Sequence, residues 1–467
     1  MLSISSIKGD AAYYSHEDNY YASGSLESRW MGDGAEQLGL KGEVANGDMD
    51  AVRQGMLPDG TDLSRMVDGV NKHRAGYDLT FSAPKSVSVM ALVGEDRRFV
   101  DAHNQAVKVV MEEVEQLVSA RITEEGKTET VLTGNMVAAL YNHDTSRDLD
   151  PQLHTHALVF NVTYAEEKWR ALASDTRMKT GFSENLYATK IALGNLYRAV
   201  LREQVEAMGF ETVTSGKNGL WEMRDIPTEV FSSRSQAISE AAGPDASAKS
   251  RDVAALDTRQ AKAWADPELL KSDWRRRLVD EKFDIDGYVQ LAQTRAEPTV
   301  TSANREKPTD GLATPAVDSA TNVRSSEMNQ TDIQRAVSDT ISALSEKKVQ
   351  FTWSEMLAGT VNRLPAAPGL FDQARSGIEA AITSQQLIPL DREKGIFTSD
   401  IHLLNELSVH QLARTALQEQ IVLTFPERSQ ARTIPSGDAV SVLGQDKSPV
   451  AILSGRGGAL VLLERTE

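Results

Sequence analysis

The stretch NHDTSRDLDPQLHTHALVFNVT, residues 142–163, contains three of the chain's eight histidines within fourteen positions. Two runs of strand-like composition, 129–143 and 153–163, meet here and are joined by a polar loop. This arrangement predicts an antiparallel hairpin. Alternate residues of a strand point to one face, and His143 stands at the matching end of the partner strand. We therefore expect three imidazoles to converge on one point: His143, His154 and His156.

Three neutral imidazole nitrogens can hold a divalent ion and leave coordination positions open for a substrate, as a Lewis-acid site requires. The alternative is that each histidine satisfies only its own local hydrogen bonds. Imidazole suits zinc, iron, nickel or copper better than magnesium, so the sequence indicates the ligands more firmly than the ion. Asp78, in the middle of a strand-like run, is the candidate acceptor for the other ring proton of a ligand. Its alternative is an acid at a strand edge that faces water.

The first part of the chain combines strand and helix patterns. YDLTFS (77–82) alternates like a strand, and Pro84 opens the helical run KSVSVMALV (85–93) directly after it. A long helical run over 181–209 ends at Gly209, a common helix stop. Strands with segregated helices predict an α+β fold.

The chain divides at a segment rich in Thr, Ser, Ala and Pro. Residues 293–330 have no sustained apolar period and are predicted to be a linker. Residues 1–292 mix helices and strands, whereas 331–467 open with an amphipathic helix pattern and are predicted to be a smaller, mostly helical unit. A length of 467 residues also exceeds any single small module.

Composition excludes several classes of protein. Hydrophobic residues make up 40% of the chain and charged residues 25%, which are ordinary values for a globular protein. The absence of cysteine excludes disulfide scaffolds, thiolate zinc sites, iron–sulfur clusters and cysteine nucleophiles. The first residues, MLSISSIKGD, lack the apolar core of a signal peptide, so we expect a cytoplasmic protein without membrane insertion.

The net charge of −17 argues against a nucleic-acid partner, but the charge is unevenly distributed. Residues 168–202 contain seven basic residues and only two acidic ones, which gives this segment a net charge of +5. Lys190 and Arg198 fall on nearly one face of the predicted helix, and Lys179 precedes them in a basic loop. These three residues are candidate DNA contacts, and the alternative is a solvated helix face.

Four of the ten tyrosines lie within nine positions near the N-terminus: Tyr13, Tyr14, Tyr20 and Tyr21. On a helix, their spacing of seven would form two pairs, and such an aromatic stripe usually packs in a core. Beside a metal site, however, a phenol is a good nucleophile toward a phosphodiester, because a cation neutralises the phosphoryl oxygens. Tyrosines and histidines together indicate DNA nicking.

These motifs resemble the relaxase domain of conjugative plasmid relaxases of the MobF class. The resemblance rests on the tyrosine pairs, on GYDLTFSAPKSVSV (76–89) and on the histidine stretch 142–163. It covers residues 1–290 strongly and 331–455 more thinly. It implies a histidine–hydrophobic–histidine endonuclease fold, in which a central antiparallel sheet carries the metal and helices surround it. Thr155 is a small departure, because the wider superfamily usually has an apolar residue between the two histidines, although this branch of it accepts threonine there.

The resemblance also implies a role for each candidate residue. Tyr13 is the nucleophile that nicks the plasmid origin of transfer. Tyr14, Tyr20 and Tyr21 are expected to matter less for the first cut, and at least one of them is a candidate for a second transfer at termination. His143, His154 and His156 hold a divalent metal, which in the cell is Mg²⁺ or Mn²⁺ while Zn²⁺ or Ni²⁺ is compatible with three histidines, and Asp78 orients a histidine. The implied partners are single-stranded origin DNA, accessory relaxosome proteins and a type IV secretion coupling protein.

Relaxases of this class continue into helicase domains. A phosphate-binding loop needs GxxxxGK[ST], and the segment GRGGAL near the C-terminus lacks the lysine and the following Ser or Thr. The sequence therefore predicts that 331–467 is the truncated start of a helicase-like unit without a working phosphate-binding loop. Three other functions remain open: a rolling-circle replication initiator, a metallohydrolase that activates water, and an origin-binding protein without catalysis.

Overall fold

The computed structural model describes residues 1–7, 25–146, 148–174, 181–215, 220–243, 246–258, 266–296, 329–391, 395–418, 439–443, 449–454 and 460–462. The candidates Tyr13, Tyr14, Tyr20, Tyr21 and Lys179 lie outside these ranges, as do most of the predicted linker and of the GRGGAL segment. The described residues form two compact units, one mainly within 1–296 and the other mainly within 329–462.

The first unit contains both strands and helices. Its strands are β1 (Leu2–Ser6), β2 (Ser25–Met31), β3 (Met66–Val67), β4 (Val70–Asn71), β5 (Gly76–Ser82), β6 (Ser119–Glu124), β7 (Lys127–Leu132), β8 (Ala138–Thr145), β9 (Pro151–Phe160), β10 (Thr163–Ala165), β11 (Lys168–Arg170), β12 (Thr212–Thr214) and β13 (Trp221–Met223). Its helices are α1 (Asp33–Gln37), α2 (Asn46–Arg53), α3 (Lys85–Leu92), α4 (Arg97–Glu115), α5 (Phe182–Ala207), α6 (Ser233–Ala242), α7 (Ala248–Asp257), α8 (Pro267–Asp280) and α9 (Ile285–Ala296).

A five-stranded sheet with the order β1-β5-β9-β8-β2 is the centre of this unit. All its neighbouring strands are antiparallel. β8 and β9 form the predicted hairpin, in which His143 pairs with His154 and Asn142 with Thr155. The predicted α+β class with a central antiparallel sheet is therefore confirmed.

One prediction about the hairpin is wrong, because residues 129–143 are not a single strand. β7 ends at Leu132, β8 begins only at Ala138, and β7 pairs with β6 in a separate two-stranded ribbon. Gly134, with φ of +55°, lies in the break. Two successive strands of similar composition appear as one run in a sequence, since the pattern does not show which strand each one pairs with.

The two faces of the sheet pack against different elements. On the back face, buried residues such as Leu79 and Phe81 lie beneath the helices, and the Phe81 ring is 5.5 Å from that of Tyr197 on α5. On the front face, Trp30 and Phe160 join a second apolar cluster that includes residues of α1 and α2. The alternation of side chains along each strand thus determines which residues lie on the back face and which lie on the front face with the histidines.

Gly209 ends the long helix as predicted. α5 runs from Phe182 to Ala207, and Gly209 follows with φ of +88°. A Cβ at Gly209 would lie only 2.0 Å from the carbonyl oxygen of Ala292. The position therefore requires glycine both for its backbone conformation and for the close approach of α9.

The second unit contains short strands beside its helices. Its elements are α10 (Gln330–Ser345), β14 (Phe351–Thr352), α11 (Trp353–Val361), α12 (Leu370–Thr383), β15 (Leu387–Asp391), β16 (Ile396–Ser399), α13 (Asp400–Gln418), β17 (Ala439–Leu443), β18 (Pro449–Ser454) and β19 (Leu460–Leu462). Two three-stranded sheets, β14-β16-β15 and β17-β18-β19, accompany the helices. The strands β14, β15 and β16 were not predicted, because strands of two to five residues are too short to show a clear period. Residues 293–296, predicted as linker, belong to α9.

A fully buried histidine lies where two helices meet the back of the sheet. His103 on α4 contacts the Tyr197 hydroxyl on α5 through Nδ1 and the Thr155 hydroxyl on β9 through Nε2, each at 2.7 Å. Burial, reinforced by the charges of His154 and Arg29, lowers the pKa of His103 to about 3. The ring is therefore neutral in the folded protein at physiological pH.

The burial of His103 predicts a pH dependence of stability. In the unfolded chain the imidazole protonates near its ordinary pKa of about 6.5, whereas the folded state resists protonation down to about pH 3. Between these values the unfolded state binds more protons, so the free energy of unfolding falls with the pH, by up to about 1.4 kcal/mol per unit. Urea denaturation of wild type and His103→Gln from about pH 7 to pH 4 measures this slope. Equal slopes in the two proteins would contradict the expectation.

Candidate functional site

The three predicted histidines lie together on the front face of the sheet. Their ring centroids are 5.3 Å apart for His143 and His154, 5.3 Å for His143 and His156, and 5.2 Å for His154 and His156. His143 and His156 are buried, and His154 is half-buried. The near-equal spacing follows from the hairpin, which puts His143 directly opposite His154 and leaves His156 two residues further along the same face.

Asp78 is the hydrogen-bond partner of one ring. Its two carboxylate oxygens lie 3.0 and 2.9 Å from Nδ1 of His156, and the Thr80 hydroxyl lies 3.3 Å from both that nitrogen and Oδ1. β5 is an inner strand of the sheet, and the Asp78 and His156 side chains are each only 8% exposed. Asp78 is therefore a buried acid that orients an imidazole, and not a strand-edge acid facing water.

The ring hydrogen bonds determine which nitrogens face a ligand. His156 donates from Nδ1 to Asp78, and His154 donates from Nδ1 to the carbonyl of Gln152 at 2.8 Å. In each neutral ring the lone pair is then on Nε2. Among the described residues, no three His, Asp or Glu side chains stand in complete metal-ligand geometry. The donor set still fits a divalent ion that prefers imidazole, provided that the rings turn toward a common point as it binds.

The loop between β8 and β9 is fixed to the helices that follow in the chain. Asp150 is 1% exposed and accepts hydrogen bonds from the backbone N–H of Ser233 at 3.0 Å and from Arg277 at 3.2 Å. The indole of Trp274 donates to the carbonyl of Leu149 at 2.9 Å, where Leu149 has φ of +59°. These contacts fix the turn that precedes His154.

α3 holds the same loop from its other end. Nζ of Lys85 donates to the carbonyl of Pro151 at 2.9 Å, and the Ser88 hydroxyl accepts from the N–H of Leu153 at 3.0 Å. Burial lowers the pKa of Lys85 to about 8, although the nearby charges of Asp150 and Glu222 act in the opposite direction. Both Pro151 and Leu153, at the start of β9, are thus held by side chains of α3.

Sequence reasoning missed Asp150, Lys85 and Trp274, because each acts through a partner far away in the chain. Thr80 was detectable, since it lies two residues after Asp78 and therefore on the same face of the strand. For Asp150 and Lys85, the sequence offers only an acid in the DLDP turn and a lysine at a helix start.

The two described DNA-contact candidates differ in exposure. Lys190 is half-buried on α5, whereas Arg198 is buried, 7% exposed, and donates to the Asn195 side chain at 2.7 Å. The alternative reading, a solvated helix face, does not hold for Arg198, because α5 packs on both β1 and α4 and has a wider buried face than its spacing suggests. A DNA-binding role for either residue stays a prediction.

No helix in the described part of the chain is both long and apolar enough to cross a membrane.

The fold and the site together define an α+β protein with a three-histidine cluster on a central antiparallel sheet. Residues 7–280 match the TrwC relaxase family, and the chain belongs to that family. The resemblance to conjugative relaxases, drawn from the motifs, is therefore confirmed.

Two curated relatives match the chain from end to end. The multifunctional conjugation protein TraI of Escherichia coli is 53% identical over 468 residues, and that of strain K12 is 52% identical over 469 residues. Each match covers 100% of this chain and 26% of the relative. The chain thus spans about a quarter of the length of these TraI proteins.

Solved structures of the conjugative relaxase TrwC are similar to this chain, with a TM-score of 0.54 and coverage of 61% of this chain and 100% of theirs. A metal-free complex with OriT DNA and a complex with a 27-mer comprising the recognition hairpin and cleavage site are each 32% identical. A metal-bound complex with OriT DNA is 33% identical.

Proposed function

We propose that this chain is a site- and strand-specific DNA relaxase that nicks a plasmid origin of transfer to start conjugation. The observation that carries the proposal is the three-histidine cluster with its buried Asp78 partner, in a chain of the TrwC relaxase family. The TrwC complexes with OriT DNA and the conjugation role named for TraI support the same substrate.

We infer that Nε2 of His154 and of His156, with the ring of His143, hold a divalent metal ion. When bound, such an ion would offset the negative charge of the scissile phosphate. Asp78 keeps His156 in one tautomer and one orientation, which makes its Nε2 available as a ligand. The metal-bound TrwC structure supports this assignment. We expect Mg²⁺ or Mn²⁺ in the cell, although three imidazole ligands are also compatible with Zn²⁺ or Ni²⁺.

Tyr13 is the proposed nucleophile. Its phenolic oxygen attacks the phosphorus, the bond to the 3′ oxygen of the preceding nucleotide breaks, and that oxygen leaves as a hydroxyl after it takes up a proton. The product is a 5′-phosphotyrosine. One phosphodiester replaces another, so the step needs no ATP and can reverse to rejoin the ends. Tyr14, Tyr20 and Tyr21 remain candidates for a second transfer.

A labelled oligonucleotide tests this function. The full chain is incubated with single-stranded DNA from its plasmid origin, labelled on the 3′ side of the expected cut, with and without a chelator. A relaxase carries the label with the denatured protein only when metal is present. A metallohydrolase would release label over many turnovers without an adduct. A non-catalytic origin-binding protein would retain the DNA under native conditions and cut none of it, and a replication initiator would fail in plasmid-transfer assays.

Lys190 provides a separate prediction on sequence recognition. Lys190→Ala is expected to change the preference between cognate and scrambled single strands by about 1–3 kcal/mol, because a base-edge contact discriminates by that amount. Lys179→Ala, as the matched control, is expected to weaken both strands alike and to reduce the salt dependence. Fluorescence anisotropy at two salt concentrations measures both. Equal losses on the two sequences would make Lys190 a backbone contact.

We further propose that residues 331–467 belong to a helicase-like region, which the length of the TraI relatives leaves room for. Accessory relaxosome proteins and a type IV secretion coupling protein are the proposed macromolecular partners.

A further inference from the structure

A continuous chain of hydrogen bonds runs behind the histidine cluster, on the opposite face of the same two strands, and is fully buried at one end. It links six residues, which we call the back-face chain: Tyr197, His103, Thr155, Asn142, Asn104 and Glu27. Four of them are fully buried, namely Tyr197, His103, Thr155 and Asn142. The three links between the fully buried members and the link from Asn142 to Asn104 each measure 2.7 Å, and the last link, to Glu27, measures 3.4 Å.

The donors and acceptors of the back-face chain have one consistent direction. The Thr155 hydroxyl donates to Oδ1 of Asn142, so its lone pair accepts from Nε2–H of His103. Nδ1 of His103 then lacks a proton and accepts from the Tyr197 hydroxyl. At the other end, the Asn142 amide donates to Asn104, whose amide donates to the carboxylate of Glu27. This arrangement of donors and acceptors requires that the His103 ring be neutral.

The position of Thr155 makes this chain relevant to the metal site. Thr155 lies between His154 and His156 in β9, and its cross-strand partner Asn142 immediately precedes His143. The side-chain bond between Thr155 and Asn142 therefore ties the two strands together at the rung between those that carry the three ligands. The backbone register becomes irregular directly after His143. A side-chain link just before that irregularity holds the strands where the ladder alone is weakest.

We propose that the back-face chain, with Thr155 at its centre, positions the three histidines for metal binding. The inference rests on the proposed metal-dependent function. It gives a reason for a threonine where an apolar residue would be expected from the wider superfamily: the hydroxyl connects the ligand strands to α4 and α5 through His103 and Tyr197. Thr155 is thus a positioning residue, because it acts through the backbone of its neighbours and does not face the ligand side of the sheet.

The test compares metal binding in the full chain with three substitutions of threonine. Thr155→Val keeps the shape and removes the hydroxyl, and it is expected to weaken Mn²⁺ binding about tenfold, as the loss of an outer partner does. Thr155→Ser restores the hydroxyl and is expected to bind within about twofold of wild type. Thr163→Val is the matched control: Thr163 is also a fully buried strand residue whose hydroxyl donates to a backbone carbonyl, but it has no link to the histidines. It is expected to lose stability without losing metal affinity.

Two readouts separate positioning from simple destabilisation. Calorimetry gives the Mn²⁺ affinity, and the visible absorption of bound Co²⁺ reports the ligand geometry, which is expected to change in Thr155→Val and to return in Thr155→Ser. Wild-type affinity and spectrum in folded Thr155→Val would overturn the inference, as would an equal loss of affinity in Thr163→Val. If Thr155→Val does not fold, Tyr197→Phe interrupts the back-face chain two hydrogen bonds away from Thr155. Unchanged Co²⁺ absorption in Tyr197→Phe would also overturn the inference.

These outcomes are distinguishable from a failure of the proposed function. A wild-type chain that binds metal but forms no covalent DNA adduct would refute the nicking reaction and leave the positioning result intact. A wild-type chain that forms the adduct while Thr155→Val binds metal normally would refute the positioning role alone.

Discussion

Replacing Tyr13 with phenylalanine is expected to abolish the covalent protein–DNA adduct while DNA binding stays nearly unchanged. The substitution removes only the nucleophilic oxygen, and the aromatic ring that can contact a base or the protein core remains. Loss of a covalent nucleophile removes the pathway itself, so this is the largest effect that we expect from any single substitution. Denaturing electrophoresis of labelled origin DNA measures the adduct, and fluorescence anisotropy measures the binding.

The neighbouring tyrosine supplies the matched control. Tyr14→Phe makes the same chemical change one position away and is expected to retain most of the first cleavage. Tyr20→Phe and Tyr21→Phe should likewise spare the first cut and affect a second transfer, if either residue serves it. An adduct at the wild-type rate in Tyr13→Phe, together with its loss in Tyr20→Phe, would show that the roles of the two pairs are reversed.

The hairpin and the histidine cluster were predictable because their determinants are local. The side-chain alternation of a strand puts His154 and His156 on one face, and a short polar loop forces the preceding strand to return beside them. Asp78 was also predictable as a partner, since an acid in the middle of an apolar strand needs a buried donor. The hairpin depends on residues close in sequence, and the Asp78 partner follows from the free-energy cost of burying an unpaired charge.

The supports of the site were not predictable, because they depend on which distant elements pack together. Asp150 meets Arg277 across 127 positions, and His103 meets Thr155 across 52. Nothing in the periodicity of α4 distinguishes His103 from any other residue of its buried face. Arg198 shows the same limit from the other side, since an eight-residue spacing on a helix does not reveal that one of the two side chains is buried.

Removal of a histidine ligand is the second large effect. His154→Ala is expected to reduce metal affinity by more than the roughly 10–100-fold that the loss of an outer partner costs, and to reduce adduct formation with it. Its effect on stability should be small, because His154 is half-buried and its Nδ1 partner is a backbone carbonyl next to the loop. Calorimetric titration with Mn²⁺ and urea denaturation measure the two quantities independently.

His156→Ala should differ from His154→Ala in stability, although both lose a ligand. The substitution removes the imidazole N–H that donates to Asp78. The Asp78 side chain is only 8% exposed, so its buried negative charge is then less well stabilised by hydrogen bonds. Such a loss costs about 3–5 kcal/mol when a buried pair is broken. The hydroxyl of Thr80, at 3.3 Å from Oδ1, remains and reduces this cost.

The double variant Asp78→Asn/His156→Ala tests that explanation. Asparagine has the shape of aspartate without its charge, so the double variant is expected to be more stable than His156→Ala alone while it still fails to bind metal. Asp78→Asn alone should retain all three ligands and lose about 10–100-fold in metal affinity, since it no longer orients His156 as a charged acceptor. Unchanged Mn²⁺ binding in His154→Ala, His156→Ala and Asp78→Asn would refute the metal site and leave the histidines a structural role. A double variant no more stable than His156→Ala would show instead that the Asp78 carboxylate does not destabilise the fold when His156 is removed.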